Sequence, residues 1–226
     1  EAAGGRRTLT YGGLAEASGR LAGALTRAGV TPKDRAAMFV LDQIEFPIVF
    51  WGAIKAGVVP VPLNTLLSTD VYRAILQDAD ARIAFVSSEL AEVVLPAALG
   101  LVETVVVIGG DAPEGAVSWD EFIGGAEAVD PVDVASSDVA FWLYSSGSTG
   151  APKGVRHMHS ALRVTCDTYG AQVLGVREGD TVFSAAKLFF AYGLGNGMSF
   201  PMSVGATTVL FNARPTPDTV SEVLEA

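Results

Sequence analysis

Charge is scarce in this 226-residue sequence: Asp, Glu, Lys and Arg together supply 18% of it, against roughly 25% in an ordinary soluble domain. Cysteine is scarcer still. The single residue, Cys166, excludes an internal disulfide, and with it a stapled miniprotein, and fits a reducing, cytoplasmic setting. Histidine occurs only as His157 and His159. On a strand, such a pair would share a face and could ligate zinc, but no third histidine exists and the cysteine falls on an expected helix, so no metal site is expected. No unbroken apolar run suits a membrane span either. The most apolar stretch, 46–63, is interrupted by Lys55, Gly57, Pro60 and Pro62, and reads as a buried helix followed by a strand. No stretch resembles a signal peptide.

What is abundant is apolar surface. Hydrophobic residues make up 50% of the chain, which excludes disorder and hints that some surface faces further protein. Net charge is −10, unevenly spread: residues 1–35 carry an excess of three basic groups, 36–140 an excess of thirteen acidic ones, and 141–226 balance. An acidic body argues against nucleic acid or an anionic membrane as a partner. The neutral last third would repel an anionic ligand least.

Helical and strand patterns alternate along the chain. Leu14, Ala17, Leu21, Leu25 and Ala28 recur at helical spacing behind a Thr10 N-cap, and Gly29 closes that helix. Strands are expected at 36–41, 58–63, 82–87 and 103–108, with helices between them. Residues 111–137, broken by acidic residues, Gly and Pro, read as a solvated connector. The expected organisation is a first α/β unit over 1–137 that ends in this connector, and a second over 138–226. In the second, strands are expected at 139–144, 181–185 and 207–211, with helices at 160–174 and 196–202 and a last one opened by Thr216-Pro217-Asp218. The fold class expected is α/β, with two successive, largely parallel sheets and flanking helices.

The strongest functional signal is Tyr144-Ser145-Ser146-Gly147-Ser148-Thr149-Gly150-Ala151-Pro152-Lys153-Gly154, directly after an apolar strand. Its glycines let the backbone approach an anion and turn N–H groups toward it. The hydroxyls of Ser145, Ser146, Ser148 and Thr149 can donate to phosphate oxygens, and Lys153 adds a mobile point charge. This chemistry suits a polyphosphate. It is not a Walker loop, because Pro152 precedes the lysine where glycine is needed and Gly154 follows it in place of Ser or Thr.

The loop resembles the phosphate-binding signature of the adenylate-forming superfamily of acyl-CoA synthetases, peptide-synthetase adenylation domains and luciferases. Ser145 and Ser148 stand for its usual threonines and His159 for its following histidine, while Met158 departs from a frequent threonine. Leu9-Thr10-Tyr11 and Val61-Pro62-Leu63-Asn64-Thr65 extend the resemblance along the whole chain, as an amino-terminal portion of the family's large domain. The resemblance implies that Ser145, Ser146, Gly147, Ser148, Thr149, Gly150 and Lys153 hold the β- and γ-phosphates of ATP.

Residues 184–197 then align with the family's acyl-pocket segment. Lys187 stands for its proline and Phe190 for its usual histidine, and the form is similar to benzoate-CoA and hydroxybenzoate-CoA ligases. Phe190 and Tyr192 offer flat faces to an aryl ring, while Ala191 and Gly193 leave it room. The implied reaction joins an aromatic carboxylic acid to CoA through an acyl-adenylate, with ATP and Mg2+, releasing AMP and pyrophosphate. The family's adenine, ribose and magnesium contacts and its catalytic lysine fall beyond Ala226, so no catalytic residue is assigned. The remaining carboxyl-terminal portion is an expected partner. Alone, 1–226 is expected to be inactive, with apolar surface uncovered around 204–211. The alternatives are an adenylation domain that loads a carrier protein and a non-catalytic phosphate-binding fragment.

Overall fold

The computed structural model describes residues 6–146 and 152–225. In chain order the elements are α1 (Tyr11–Arg27), β1 (Arg35–Phe39), α2 (Glu45–Lys55), β2 (Val59–Pro62), α3 (Thr69–Ala79), β3 (Ala81–Ser87), α4 (Ala91–Ala98), β4 (Thr104–Ile108), β5 (Val117–Ser118), α5 (Trp119–Ile123), β6 (Val139–Ser146), β7 (Pro152–Met158), α6 (His159–Thr165), β8 (Thr181–Phe183), α7 (Ala191–Leu194), α8 (Phe200–Val204), β9 (Thr207–Val209) and α9 (Pro217–Glu225). π-helical turns extend α6 over Cys166–Leu174 and join α7 to α8 over Gly195–Ser199. Among the described residues, no helix is long and apolar enough to cross a membrane.

Five strands form one parallel sheet in the order β2-β1-β3-β4-β5. A parallel sheet must be covered on both faces, and successive side chains alternate between them. Ala36 and Met38 of β1 join Ile83, Phe85 and Val106 in a core with residues of α1 and α2. Ala37 and Phe39 join Ala84, Val86 and Val107 in a second core with residues of α3 and α4. Strand order reverses between β1 and β3, so the turns leaving their carboxyl ends diverge and open a crevice. α1 starts where expected: Thr10 Oγ1 accepts from the Gly13 N–H at 3.0 Å. Arg7 grips Glu45, in the first turn of α2, through bonds of 2.7 and 2.8 Å. α9 likewise starts at Pro217, with Thr216 Oγ1 accepting from the Thr219 N–H at 3.3 Å.

The α/β class holds throughout, and the second half adds one feature that the apolar pattern did not announce. β7 returns along β6 as an antiparallel hairpin, whereas β8 and β9 pair in parallel. β7 is polar and mostly exposed, so only its register with β6 marks it as a strand. β6 belongs to both cores: Phe141 and Leu143 enter the first, while Trp142 and Tyr144 pack against the second. The acidic stretch is also less solvated than expected. Phe122 and Ala126 are buried in the first core, and the Val129 and Val132 N–H groups donate to Gly19 O and Lys55 O. Residues 204–211 are not the uncovered patch either, since Val204, Val209, Leu210 and Phe211 are half-buried. Exposed apolar side chains sit instead at Val155, Met158, Val164 and Val173.

α1 and α2 pack at Gly52, where a Cβ would lie 2.7 Å from Leu21 Cδ2 and 2.8 Å from Leu21 Cβ. Gly52→Ala gains about 1 kcal/mol of helix propensity but overpacks a site where such strain costs roughly 1–3 kcal/mol. The expected result is a lower urea midpoint; a raised midpoint would show slack between the two helices.

Candidate functional site

The β6–β7 hairpin has a firmly held base. Tyr144 pairs with Gly154, Ser145 with Lys153 and Ser146 with Pro152. Ser145 and Lys153 are exposed, so the hydroxyl and the ammonium stand on adjacent strand ends. Gly147, Ser148, Thr149 and Gly150 lie outside the described residues. Below the strand ends, Tyr144 Oη donates to Asp78 Oδ2 of α3 at 2.5 Å. Burial, reinforced by the Asp78 carboxylate, raises the Tyr144 phenol pKa and keeps it a donor. A Cβ at Gly154 would sit 3.2 Å from Trp142 Cε3 and from Tyr144 Cζ, so glycine leaves space for the rings opposite. The Arg156 guanidinium covers the Trp142 ring at 5.0 Å.

A cavity of about 110 Å³ is enclosed by β6, β7, α6 and the segment from Ala191 to Phe200. Phe141, Leu143, His157, Ala191, Leu194 and Phe200 are among its walls. His157 stacks on Phe141, with centroids 4.6 Å apart and planes 3° from parallel. Burial lowers the His157 pKa, which keeps the ring uncharged at neutral pH. His159 does not share its face. The chain turns from strand to helix between them, and His159 lines a separate cavity of about 300 Å³ with Tyr11, Trp51 and Met202. Among the described residues, no group of three or more His, Cys, Asp or Glu is placed to hold a metal ion. Cys166 is buried, with its Sγ 3.3 Å from Ser199 O.

Of the four residues expected along the acyl segment, Ala191 reaches this cavity. Phe190 and Tyr192 stand outside it, 48% and 65% exposed. Gly193 is buried, and a Cβ there would run into the carbonyl oxygens of Lys187 and Ala186. Glycine thus closes the turn, which is further held by Phe190 N–H to Lys187 O at 3.0 Å and Leu194 N–H to Phe190 O at 2.8 Å.

One buried carboxylate is not among the residues singled out in the sequence. Asp42, 6% exposed, lies in the turn that leaves the carboxyl end of β1. Its Oδ1 accepts from the Leu188 N–H at 3.1 Å, and its Oδ2 is 3.8 Å from Lys187 Nζ. That ammonium also donates to Phe211 O and Ala213 O at 2.5 and 2.7 Å. The available signal was a lone charge directly after an apolar strand, with nothing to name a partner so distant in sequence. Burial pushes the Asp42 carboxyl up to about 6, against the pull of Lys187 and the Leu188 N–H. It also lowers the Lys187 pKa, opposed by Asp42. On both partners desolvation outweighs mutual attraction.

The folded chain therefore holds the Asp42 proton more tightly than the unfolded chain does. The stability from that bound proton is complete below about pH 4 and is lost as pH rises through 6, a swing of up to about 3 kcal/mol. Relative to Asp42→Asn, the parent protein should lose urea resistance between pH 4 and 7. Parallel pH profiles for the two would contradict this.

The AMP-binding enzyme model matches residues 1–226. The chain is 47% identical over 226 residues to the 4-hydroxybenzoate–CoA/benzoate–CoA ligase of Rhodopseudomonas palustris, covering 97% of this chain and 41% of that ligase. It is 51% identical over 220 residues to the benzoate–CoA ligase of Thauera aromatica, covering 96% and 41% respectively. The solved anthranilate CoA ligase AuaEII in complex with anthranoyl-AMP superposes with a TM-score of 0.90 at 34% identity, covering 96% of this chain and 42% of that one. The chain thus spans about two fifths of the length of the curated relatives it matches. With a fold and a sequence that agree along its length, the chain belongs to the AMP-binding enzyme family.

Proposed function

We propose that the protein carrying this chain is an aryl-acid CoA ligase that acts on benzoate or a hydroxybenzoate. The observation that carries the reading is the small, largely apolar cavity between Ala191 and Phe200 and the hairpin residues Phe141 and His157, whose strands also bear Ser145 and Lys153. A cavity of ~150 Å³ holds benzene, so the space of about 110 Å³ bordered by these residues is on the scale of one aromatic ring. The names of the relatives point to the same substrate class.

In this reading a carboxylate oxygen of the aryl acid attacks the α-phosphorus of ATP. The bond to the β-phosphate oxygen breaks, pyrophosphate leaves, and an acyl-adenylate forms. The CoA sulfur, having lost its proton, then attacks the acyl carbon and AMP leaves. Ser145, Ser146, Gly147, Ser148, Thr149, Gly150 and Lys153 are assigned to the outer phosphates, where positioning and charge neutralisation lower the barrier. The paired strand ends and the Tyr144–Asp78 bond fix the base from which Ser145 and Lys153 reach. Ala191 borders the ring, and Phe190 and Tyr192 flank it on the open side. Mg2+ would accompany ATP, but the described residues offer no cluster of protein ligands for it. The reaction belongs in the cytoplasm, where ATP and CoA are supplied and Cys166 stays reduced.

Assayed as a full-length protein, it should convert benzoate or a hydroxybenzoate, ATP and CoA into aryl-CoA and leave palmitate unused. A preference for palmitate or for an amino acid in the substrate panel would overturn the reading. In the same protein, Lys153→Ala removes a charge-assisted contact of about 1.5–3 kcal/mol, so kcat/KM for ATP should fall at least tenfold. A raised benzoate KM with ATP kinetics intact would place the loop at the wrong ligand.

A further inference from the structure

An open parallel sheet whose strand order reverses between β1 and β3 leaves a crevice at the carboxyl ends of those strands, the usual seat of a ligand in such folds. Here the chain fills part of that crevice itself. Asp42, in the turn after β1, accepts from the Leu188 N–H. Leu188 and Phe189 are 1% and 5% exposed, and Leu188 belongs to the first core. Lys187, beside them, faces Asp42 and donates to the carbonyls of Phe211 and Ala213 beyond β9. One ammonium and one carboxylate therefore tie together three stretches of chain that are far apart in sequence. Three residues further on, the turn reaches Phe190, Ala191 and Tyr192. Gly193 then fixes its far end against the Lys187 and Ala186 carbonyls.

We infer that Asp42 and Lys187 are positioning residues for the acyl-binding turn: the pair anchors the 187–188 peptide in the crevice of the first sheet and so sets how far Ala191 projects into the cavity. This deepens the reading of 190–193 as the acyl wall and rests on it. Neither side chain lines the cavity, so both act through the turn rather than by touching substrate. A buried ion pair that costs more in desolvation than it returns in attraction is weak evidence of a role in stability. Its return here is geometric, since an apolar pair could fill the same space but could not bond the Leu188 N–H and the two carbonyls at once.

The test uses Asp42→Asn, Lys187→Met and the double variant in the full-length protein, with Lys187→Arg as the conservative control. Lys187 is part-exposed, so Lys187→Met decides the matter if Asp42→Asn does not fold. Two quantities are read: amide hydrogen exchange over 186–193, and KM for benzoate beside KM for ATP. Each single variant should speed exchange over 186–193 about tenfold while β1 and β3 keep their protection. Benzoate KM should rise about tenfold with ATP KM changed less than twofold, the double variant should match the worse single one, and Lys187→Arg should recover part of the loss. Unchanged exchange over 186–193 would overturn the proposal, as would benzoate and ATP KM rising together. If the parent protein fails to activate benzoate, the functional reading falls and the exchange result alone decides the positioning role.

Discussion

Four of the five strands in the sheet, β1 to β4, are buried on both faces, and this constraint organises the molecule. A doubly covered parallel sheet has no room for polar chemistry between its layers, because each unpaired polar group placed there would lose its hydration. Polar groups are driven to the strand ends. Asp42 lies just past the carboxyl end of β1, and Ser87 closes β3 by accepting from the Leu41 N–H at 3.0 Å. Ser145 and Lys153 sit at the open end of the β6–β7 hairpin. Polar side chains are collected at the ends of elements because the interior excludes them.

The β6–β7 hairpin and the turn over 187–194 are held by similar parts. The hairpin presents Ser145 and Lys153 outward and is supported from below, through Tyr144 on Asp78 and the aromatic rings over Gly154. The turn over 187–194 places Ala191 beside a cavity and is held from both sides: Asp42 and Lys187 before it, Gly193 and Leu194 after it. At Gly193 a Cβ would run into backbone oxygens and at Gly154 it would crowd two aromatic rings, and in each case a polar pair fixes the element that carries the exposed residues.

Local signals in the sequence were enough for most of the fold. The apolar runs marked β1 to β4, Thr10 and Thr216-Pro217 marked helix starts, and the glycine- and hydroxyl-rich run pointed to a phosphate ligand. These features are read from neighbours in the chain. β7 was hidden because an exposed, polar strand has no apolar alternation to display, and its identity depends on a partner across the hairpin. The Asp42–Leu188 bond was hidden for a stronger reason, since it joins positions 146 residues apart. His157 was weighed as a metal ligand because it lies two residues from His159. The strand-to-helix change between them sends one to each cavity, and only its register on β7 shows that His157 stacks on Phe141.

β6 deserves a last consideration as a shared wall. Its side chains enter both cores of the first sheet's layers, and its end carries Ser145 and Ser146. A recombination joint placed in the acidic stretch before it would part Phe141, Leu143, Trp142 and Tyr144 from the surfaces they were shaped against. Exchange of segments among relatives at that joint would therefore inherit a mismatch along β6 even when every residue beyond it was chosen well. A joint placed after β7 leaves that wall whole, but carries Lys187 away from the Asp42 it was paired with. Modularity in this fold is limited by packing at one boundary and by charge at the other.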